Sequence, residues 1–285
     1  MKNTIFKALL LAFLFSGSFL HAVQPPFLTL HAAPYNPGLF SVFTTVLGLL
    51  DQYEEENYSG FVIQFGKNGL YHDEQRGPNW WRYYFMPLQR GLEERTVSST
   101  AEIHVKLALH CLNNLSRERC YELISRYIRL RPHITEKVDK FVQTKFKDAH
   151  VLGIHYRGTD KMNNESPFMD YEIMLNAVAY YAHQFKGKKF RIFVATDEQD
   201  FMDEMNERFP GQVLTASTIR SDNGKPLHTS RIDPYKHGEE ALIDCLLLSR
   251  CNHLIRTSSN LSLCSTYFNP ELSVELLNPG ILDNQ

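Results

Sequence analysis

A parallel, doubly wound α/β sheet is predicted for residues 150–285 by two observations. Apolar runs of strand length alternate there with helical periodicities. Three of those runs end in polar clusters, HYRGTDK (155–161), TDE (196–198) and TSSN (257–260), rather than in ordinary turn residues. In an open parallel sheet, ligands bind outside the carboxyl ends of the strands, so this convergence marks a site.

Composition narrows the class. The chain has 285 residues, 43% of them apolar and 22% charged, with a formal net charge of −2. Aromatic content and near-neutral charge exclude a disordered chain, and there is no basic excess for nucleic acid. Five cysteines, an odd number, are too few for a disulfide scaffold of this length. No paired Cys/His spacing suggests zinc, and no metal is expected. The length suits one large domain or two compact ones, with a boundary near 148–150. Residues 1–150 carry 17 basic and 14 acidic side chains, and residues 151–285 carry 13 and 18. No broad basic field therefore draws an anion to the second half, and recognition there has to be local.

The amino terminus is read first. Lys2 and Lys7 precede the apolar run Ala8 to Leu20, and Pro25-Pro26 follow. This is the layout of a signal peptide or an uncleaved signal anchor over 1–23, with cleavage near Ala22. It implies the secretory pathway, a Golgi-type lumen or export, with membrane contact only through this segment if it stays uncleaved. Asn57, Asn114, Asn164 and Asn260 open N-x-S sequons.

Residues 24–149 form the first domain. LFSVFTTVLGLLDQYEEEN (39–57) predicts an amphipathic helix, and FVIQF (61–65) a buried strand. Residues 66–98 are loop-like around an aromatic knot, NWWRYYF (79–85). Ser99 and Glu102 form a capping-box pattern, predicting a helix through Ile103, Leu107 and Leu109. Two more helices are expected over 117–130 and 135–147, separated by Pro132. In the second domain, 150–285, strands are expected at 151–157, 189–196, 212–216, 253–257 and 272–277. Helices are expected at 170–185, 197–209, 238–251 and from Asn260, with a turn-rich loop over 217–237.

The polar residues divide by chemistry. Arg157 at a strand end, before Gly158, can fork onto a phosphate or carboxylate while the glycine lets backbone approach a ligand. It can equally pair with Asp160 or Asp197. Ser258, Ser259 and Asn260 form a strand–turn–helix junction, which is either an anion site or a plain helix N-cap. His155 lies within an apolar strand and reads as a core residue or a ligand contact. Asp244, in the apolar helix EEALIDCLLLSR, needs a partner, and guanine's parallel N1–H and amino donors suit it as well as an arginine would. Glu165 is either a carboxylate over a reacting centre or a surface loop residue. The 217–237 loop, with Arg220, Ser221, Gly224 and His228, either touches a ligand at the rim or is solvated.

HYRGTDKMNNE (155–165) resembles the His-x-Arg-[Arg/Gly]-Thr-Asp-Lys…Glu motif of the alpha-1,6-fucosyltransferases and bacterial NodZ-like enzymes, relatives of the protein O-fucosyltransferases. FVATDEQDFMDEM (193–205) and the segment 240–262 are similar to the second and third blocks of that family, in order and spacing. The resemblance implies a GT-B-like architecture of two Rossmann-type halves with parallel sheets, and transfer from GDP-fucose to a glycan or protein acceptor, inverting and without metal or other cofactor. It implies that Arg157 meets the donor β-phosphate and that His155 and Asp244 meet guanine. It further implies that Ser259 and Asn260 lie at the phosphates and that Glu165 is the general base with Lys161 nearby; Ser258 and Asp197, at the same strand ends, are counted with the donor-binding residues. Gly158 departs from the pattern, since the alpha-1,6 enzymes carry a second arginine there. The competing expectations are transfer of another GDP-sugar and a secreted glycan- or protein-binding module that keeps the fold without turnover.

Overall fold

The computed structural model describes residues 27–31, 38–55, 60–66, 69–88, 100–103, 115–158, 169–221 and 233–279. The signal segment, Cys111, Asn57, Asn114 and Asn164, and the 159–168 and 222–232 loops lie outside them.

Two parallel sheets organise the chain. The smaller has β1 (Phe27–His31) at its centre, flanked by β2 (Gly60–Gln64) and β3 (Thr100–Ile103). The larger contains β4 (His150–Tyr156), β5 (Phe190–Thr196), β6 (Val213–Leu214), β7 (His253–Thr257) and β8 (Ser273–Asn278), in the order β6-β5-β4-β7-β8. Numbered from β4, this is 3-2-1-4-5, which reverses direction between β4 and β7.

Both faces of the larger sheet are apolar, as a parallel sheet requires. On β4 and β5, Leu152, Ile154, Tyr156, Ile192 and Val194 face a core shared with α5 (Tyr171–His183) and α6 (Gln199–Arg208). Val151, Phe193 and Ala195 belong to the opposite core, with α7 (Pro234–Leu248) and α8 (Asn260–Phe268). That second core runs on into the first part of the chain. It takes in α1 (Leu39–Glu55), the short α2 (Trp81–Tyr84), α3 (Arg117–Tyr127) and α4 (Pro132–Phe141). The aromatic knot is its centre: Trp81 stacks on Phe85 at 4.1 Å, and Phe43 of α1 reaches Phe268 of α8 at 5.5 Å.

Polar ties fix the helices of the first part. Arg119 of α3 holds Asp51 and Glu54 of α1 at 2.7 and 2.6 Å, and Tyr127 donates to Glu54. Lys137 of α4 and Tyr235 both bind Glu239 of α7, at 2.7 and 2.6 Å.

Three expectations are corrected. Residues 100–103 are a strand, not the start of a helix, because pairing with β1 satisfies the backbone along the whole segment, which a local capping box cannot match. The two expected helices are present, but Pro132 does not lie between them: it occupies the first turn of α4, where its missing N–H costs nothing. Helix α7 begins at Pro234, four residues before the expected start, capped by Asp233, which accepts from the Lys236 N–H. Gly238, inside α7, is a close-packing residue: a Cβ there would meet Tyr84 Oη at 2.3 Å.

The four described cysteines, Cys120, Cys245, Cys251 and Cys264, are buried free thiols. Burial pushes all four above the ordinary thiol range, Cys120 to about 12. They act as small core side chains.

Candidate functional site

The site begins where β4 and β7 part. Their ladder runs from Leu152↔His253 to His155↔Arg256 and stops. Beyond it the Thr257 hydroxyl takes over, accepting the Arg157 N–H at 2.9 Å. The sheet's winding reverses at this point, which is where open parallel sheets hold their ligands.

Arg157 is held at this point. Its Nη1 lies 2.8 Å from Asp197 Oδ2, and Asp197 Oδ1 accepts the Gly158 N–H at 3.2 Å. Asp197 is buried, and the Arg157 side chain is 25% exposed. Asp197 thus fixes the guanidinium while part of it stays open to a ligand. Pairing with Asp197 and forking onto an anion are compatible.

Alongside, β7 turns into α8. The Ser258 N–H donates to Asn278 Oδ1 at 2.8 Å, and the buried Ser258 Oγ has no partner among the described residues. Ser259 stands at the N-cap without a side-chain cap bond, and Asn260 is the first helical residue. The first turn of α8 carries no acidic residue, so its N–H groups and dipole leave a positive end at the β7–α8 turn. His155, also buried, sits in register between Ala195 and Arg256 on the α7–α8 face of the sheet.

Asp244 sits deeper, on α7 under the loop that follows β6. It is fully buried, and burial pushes its carboxyl up to about 7, opposed by Ser217 and Arg220 and reinforced by Glu240. Its Oδ1 has no hydrogen-bond partner among the described residues. Glu240 ties the same loop to α7 by accepting from the Thr218 and Ile219 N–H groups at 2.8 and 3.0 Å.

The structure brings His155, Arg157, Asp197, Ser258, Ser259 and Asn260 to one rim, with Asp244 on the neighbouring helix. Lys161 and Glu165 lie in the 159–168 loop, outside the described residues. Two groups were not anticipated. Tyr71 lies close enough to Arg157 to feel its charge, and its hydroxyl accepts the Leu39 N–H at 2.7 Å at the start of α1. Burial pushes that phenol up to about 12. It is the point where the first part of the chain approaches these strand ends, and no sequence pattern marked it.

The second group is Glu198. Tyr156 pairs with Thr196 across β4 and β5, so Gly158 and Glu198, two residues further on, come face to face. A Cβ on residue 158 would lie 2.2 Å from Glu198 Cδ. Tyr171 donates to Glu198 Oε2 at 2.7 Å, and burial, with Asp197 and Asp200 nearby, raises the carboxyl above its ordinary range. The place where a second arginine would project is filled by this carboxylate. Gly158→Ala is expected to destabilise the fold by about 1–2 kcal/mol, because only the flexible end of Glu198 has to move. Urea unfolding checks this, and Glu198→Ala in the same chain is expected to recover most of the loss.

A parallel α/β sheet that sets a carboxylate-fixed guanidinium and a helix amino terminus at its reversal point defines the class: a fold that gathers anion-binding groups at its strand ends. The chain belongs to the Nodulation protein Z (NodZ) family, whose model matches residues 94–278.

Nodulation protein Z of Sinorhizobium fredii is 24% identical over 198 residues, 63% of this chain and 61% of that protein. The Bradyrhizobium diazoefficiens protein of the same name is 28% identical over 169 residues, 56% of this chain and 45% of that one. The chain thus spans less than two thirds of the length of these curated relatives. Among solved structures, fucosyltransferase NodZ from Bradyrhizobium superposes with a TM-score of 0.61 at 16% identity, covering 91% of this chain and 99% of that one. NodZ alpha-1,6-fucosyltransferase co-crystallized with GDP gives 0.59 at 16%, covering 87% and 93%. POFUT1 in complex with GDP gives 0.50 at 11%, covering 89% and 99%. These likenesses establish a shared fold.

Proposed function

We propose that the chain is a fucosyltransferase, moving fucose from GDP-fucose to a hydroxyl of a glycan or protein acceptor by inverting displacement without a metal. Its frame is GT-B-like, with a first Rossmann-type half over 24–149 and a nucleotide-sugar-binding half over 150–285. The observation that carries the reading is the Asp197-fixed Arg157 at the β4–β7 strand ends, in a member of a family with a relative solved with GDP and one soaked with GDP-fucose.

The chemistry follows from charge. As the bond from the sugar's anomeric carbon to the β-phosphate oxygen breaks, negative charge gathers on the departing GDP. Arg157 and the α8 N–H groups are fixed before that charge develops, so they stabilise the transition state more than the ground state. The acceptor oxygen attacks the opposite face, and its proton passes to Glu165, with Lys161 adding positive charge near the phosphates. General-base assistance of this kind contributes about 10²–10⁴-fold. Asp244 meets the base, and His155 lies next to it. The amino-terminal segment directs the chain into a secretory or exported compartment, cleaved or as an anchor, and N-glycans at Asn164 or Asn260 are excluded because they would obstruct the site.

The test is transfer from labelled GDP-fucose to acceptor, or its hydrolysis to free fucose, by the purified chain and by Glu165→Gln. The variant is expected to bind GDP-fucose as the parent does and to lose at least about 10²-fold in turnover. Undiminished turnover in the variant removes Glu165 from the reaction. No turnover by the parent with any GDP-sugar leaves the binding-module reading.

A further inference from the structure

Two polar atoms beside the proposed base site have no hydrogen-bond partner among the described residues: Asp244 Oδ1 and Arg220 Nε. They are neighbours. Arg220 and Asp244 each feel the other's charge, and Ser217 lies against the Asp244 carboxyl. Buried polar atoms are normally satisfied, and two unsatisfied ones on neighbouring side chains mark a place that needs a further partner.

Arg220 is unusually constrained for a loop arginine. Its Nη2 donates to Thr215 Oγ1 at 2.6 Å and to the Ser217 carbonyl at 2.7 Å. The loop itself is pinned at both ends. Glu240 accepts from the Thr218 and Ile219 N–H groups, and the Ser221 N–H donates to the Asp197 carbonyl at 2.8 Å, which ties the segment to the strand end that fixes Arg157. Two bonds to one nitrogen set the plane of the guanidinium and leave Nε–H as a fixed, buried donor. Next to it, Asp244 Oδ1 is a fixed acceptor.

We propose that Arg220 is a second reader of the donor's base, contributing a hydrogen-bond donor to a ring carbonyl while Asp244 accepts from the adjoining ring N–H. This rests on the reading of the chain as a GDP-sugar enzyme and deepens it. The pair is complementary to a purine with a carbonyl at position 6 and N–H at position 1, as in guanine and hypoxanthine. Adenine offers an amino group to Arg220 and a bare nitrogen to Asp244, a mismatch at both atoms. A site of fixed polar groups rejects such a base strongly, because its own buried groups stay unpaired. The sequence leaves Arg220 open between a ligand contact at the rim and a solvated loop, because the bonds that fix its plane come from its own loop and are not a motif.

The test is calorimetric titration of the full chain with GDP, inosine diphosphate and ADP, repeated with Arg220→Met and Arg220→Gln. The parent is expected to bind GDP and inosine diphosphate, with ADP weaker by about 10²-fold or more. Each variant is expected to lose about 10- to 100-fold for GDP and inosine diphosphate by the same factor, with ADP changing less than about threefold. A structural role would weaken all three nucleotides alike, and that result overturns the proposal, as does unchanged GDP affinity in either variant. Should neither variant fold, 6-thio-GDP on the parent asks the same question. It keeps both N–H donors and weakens only the acceptor at position 6, so about tenfold weaker binding than GDP is expected, and equal binding overturns the proposal. A parent that binds none of the nucleotides overturns the GDP-sugar reading itself, a failure distinct from that of Arg220.

Discussion

Replacing Arg157 with alanine is expected to weaken GDP-fucose binding by roughly 10²-fold or more, since truncating one member of a hydrogen-bonded charge pair costs about 2–5 kcal/mol. The substitution acts twice. It removes the guanidinium at the β4–β7 strand ends, and it leaves the buried Asp197 carboxylate without its 2.8 Å partner. A fully buried broken pair costs about 3–5 kcal/mol. Arg157 is a quarter exposed, so solvent screens the pair and roughly 1–2 kcal/mol of stability is expected to be lost. The two effects separate in the double variant Arg157→Ala/Asp197→Ala. Thermal unfolding is expected to recover toward the parent, because the stranded carboxylate is gone, while donor binding stays lost. Recovery of both would show that Arg157 acts on the fold and not on the ligand. Arg157→Lys keeps the charge without the planar fork and is expected to fall between parent and alanine variant.

The second large effect is at Asp244, where stability and binding are expected to move in opposite directions. Burial raises this carboxyl to about 7 in the folded chain, against 3.8 for the free side chain. The folded state therefore holds the proton across that interval while the unfolded state does not. Stability falls as pH rises through it, and the full penalty, roughly 4 kcal/mol, is reached above about pH 7. Asp244→Asn is a neutral stand-in for the protonated acid. It is expected to match the parent near pH 4 and to exceed it in stability by several kcal/mol at pH 8, read by chemical denaturation at the two pH values. GDP affinity is expected to fall by about 10- to 100-fold in the same variant, since an asparagine carbonyl accepts at one atom where the carboxylate accepts at two. A variant less stable than the parent at pH 8 would remove the argument that this carboxylate is kept for its ligand.

The larger sheet was legible because β4, β5 and β7 are buried on both faces and so read as continuous apolar runs. The polar clusters at their ends were legible for the same reason, since an arginine or aspartate stands out after such a run. Elements set by contacts distant in sequence were not legible. The strand character of 100–103 depends on β1, some seventy residues earlier. The true start of α7 is signalled locally by Asp233-Pro234, which the turn-rich composition of 217–237 obscures, and Gly238 lies inside the helix packed against Tyr84. Within the site, Arg157 and Asp244 were identifiable by residue type in context. Glu198 was not, because its meeting with Gly158 is a consequence of strand register, which a single sequence does not display. Tyr71 was hidden among fourteen tyrosines until the fold brought it to the start of α1, within reach of the Arg157 charge.

On the proposed reading, the β4–β7 strand ends hold the diphosphate of a GDP-sugar without a metal. A titration of GDP-fucose into the full chain, monitored by thermal shift and run with and without EDTA, tests it most directly. The expected result is a saturable rise in melting temperature, unchanged by the chelator, matched by GDP alone and absent in Arg157→Ala. A melting temperature that stays flat at every GDP-fucose concentration, or a rise that persists undiminished in Arg157→Ala, would contradict it.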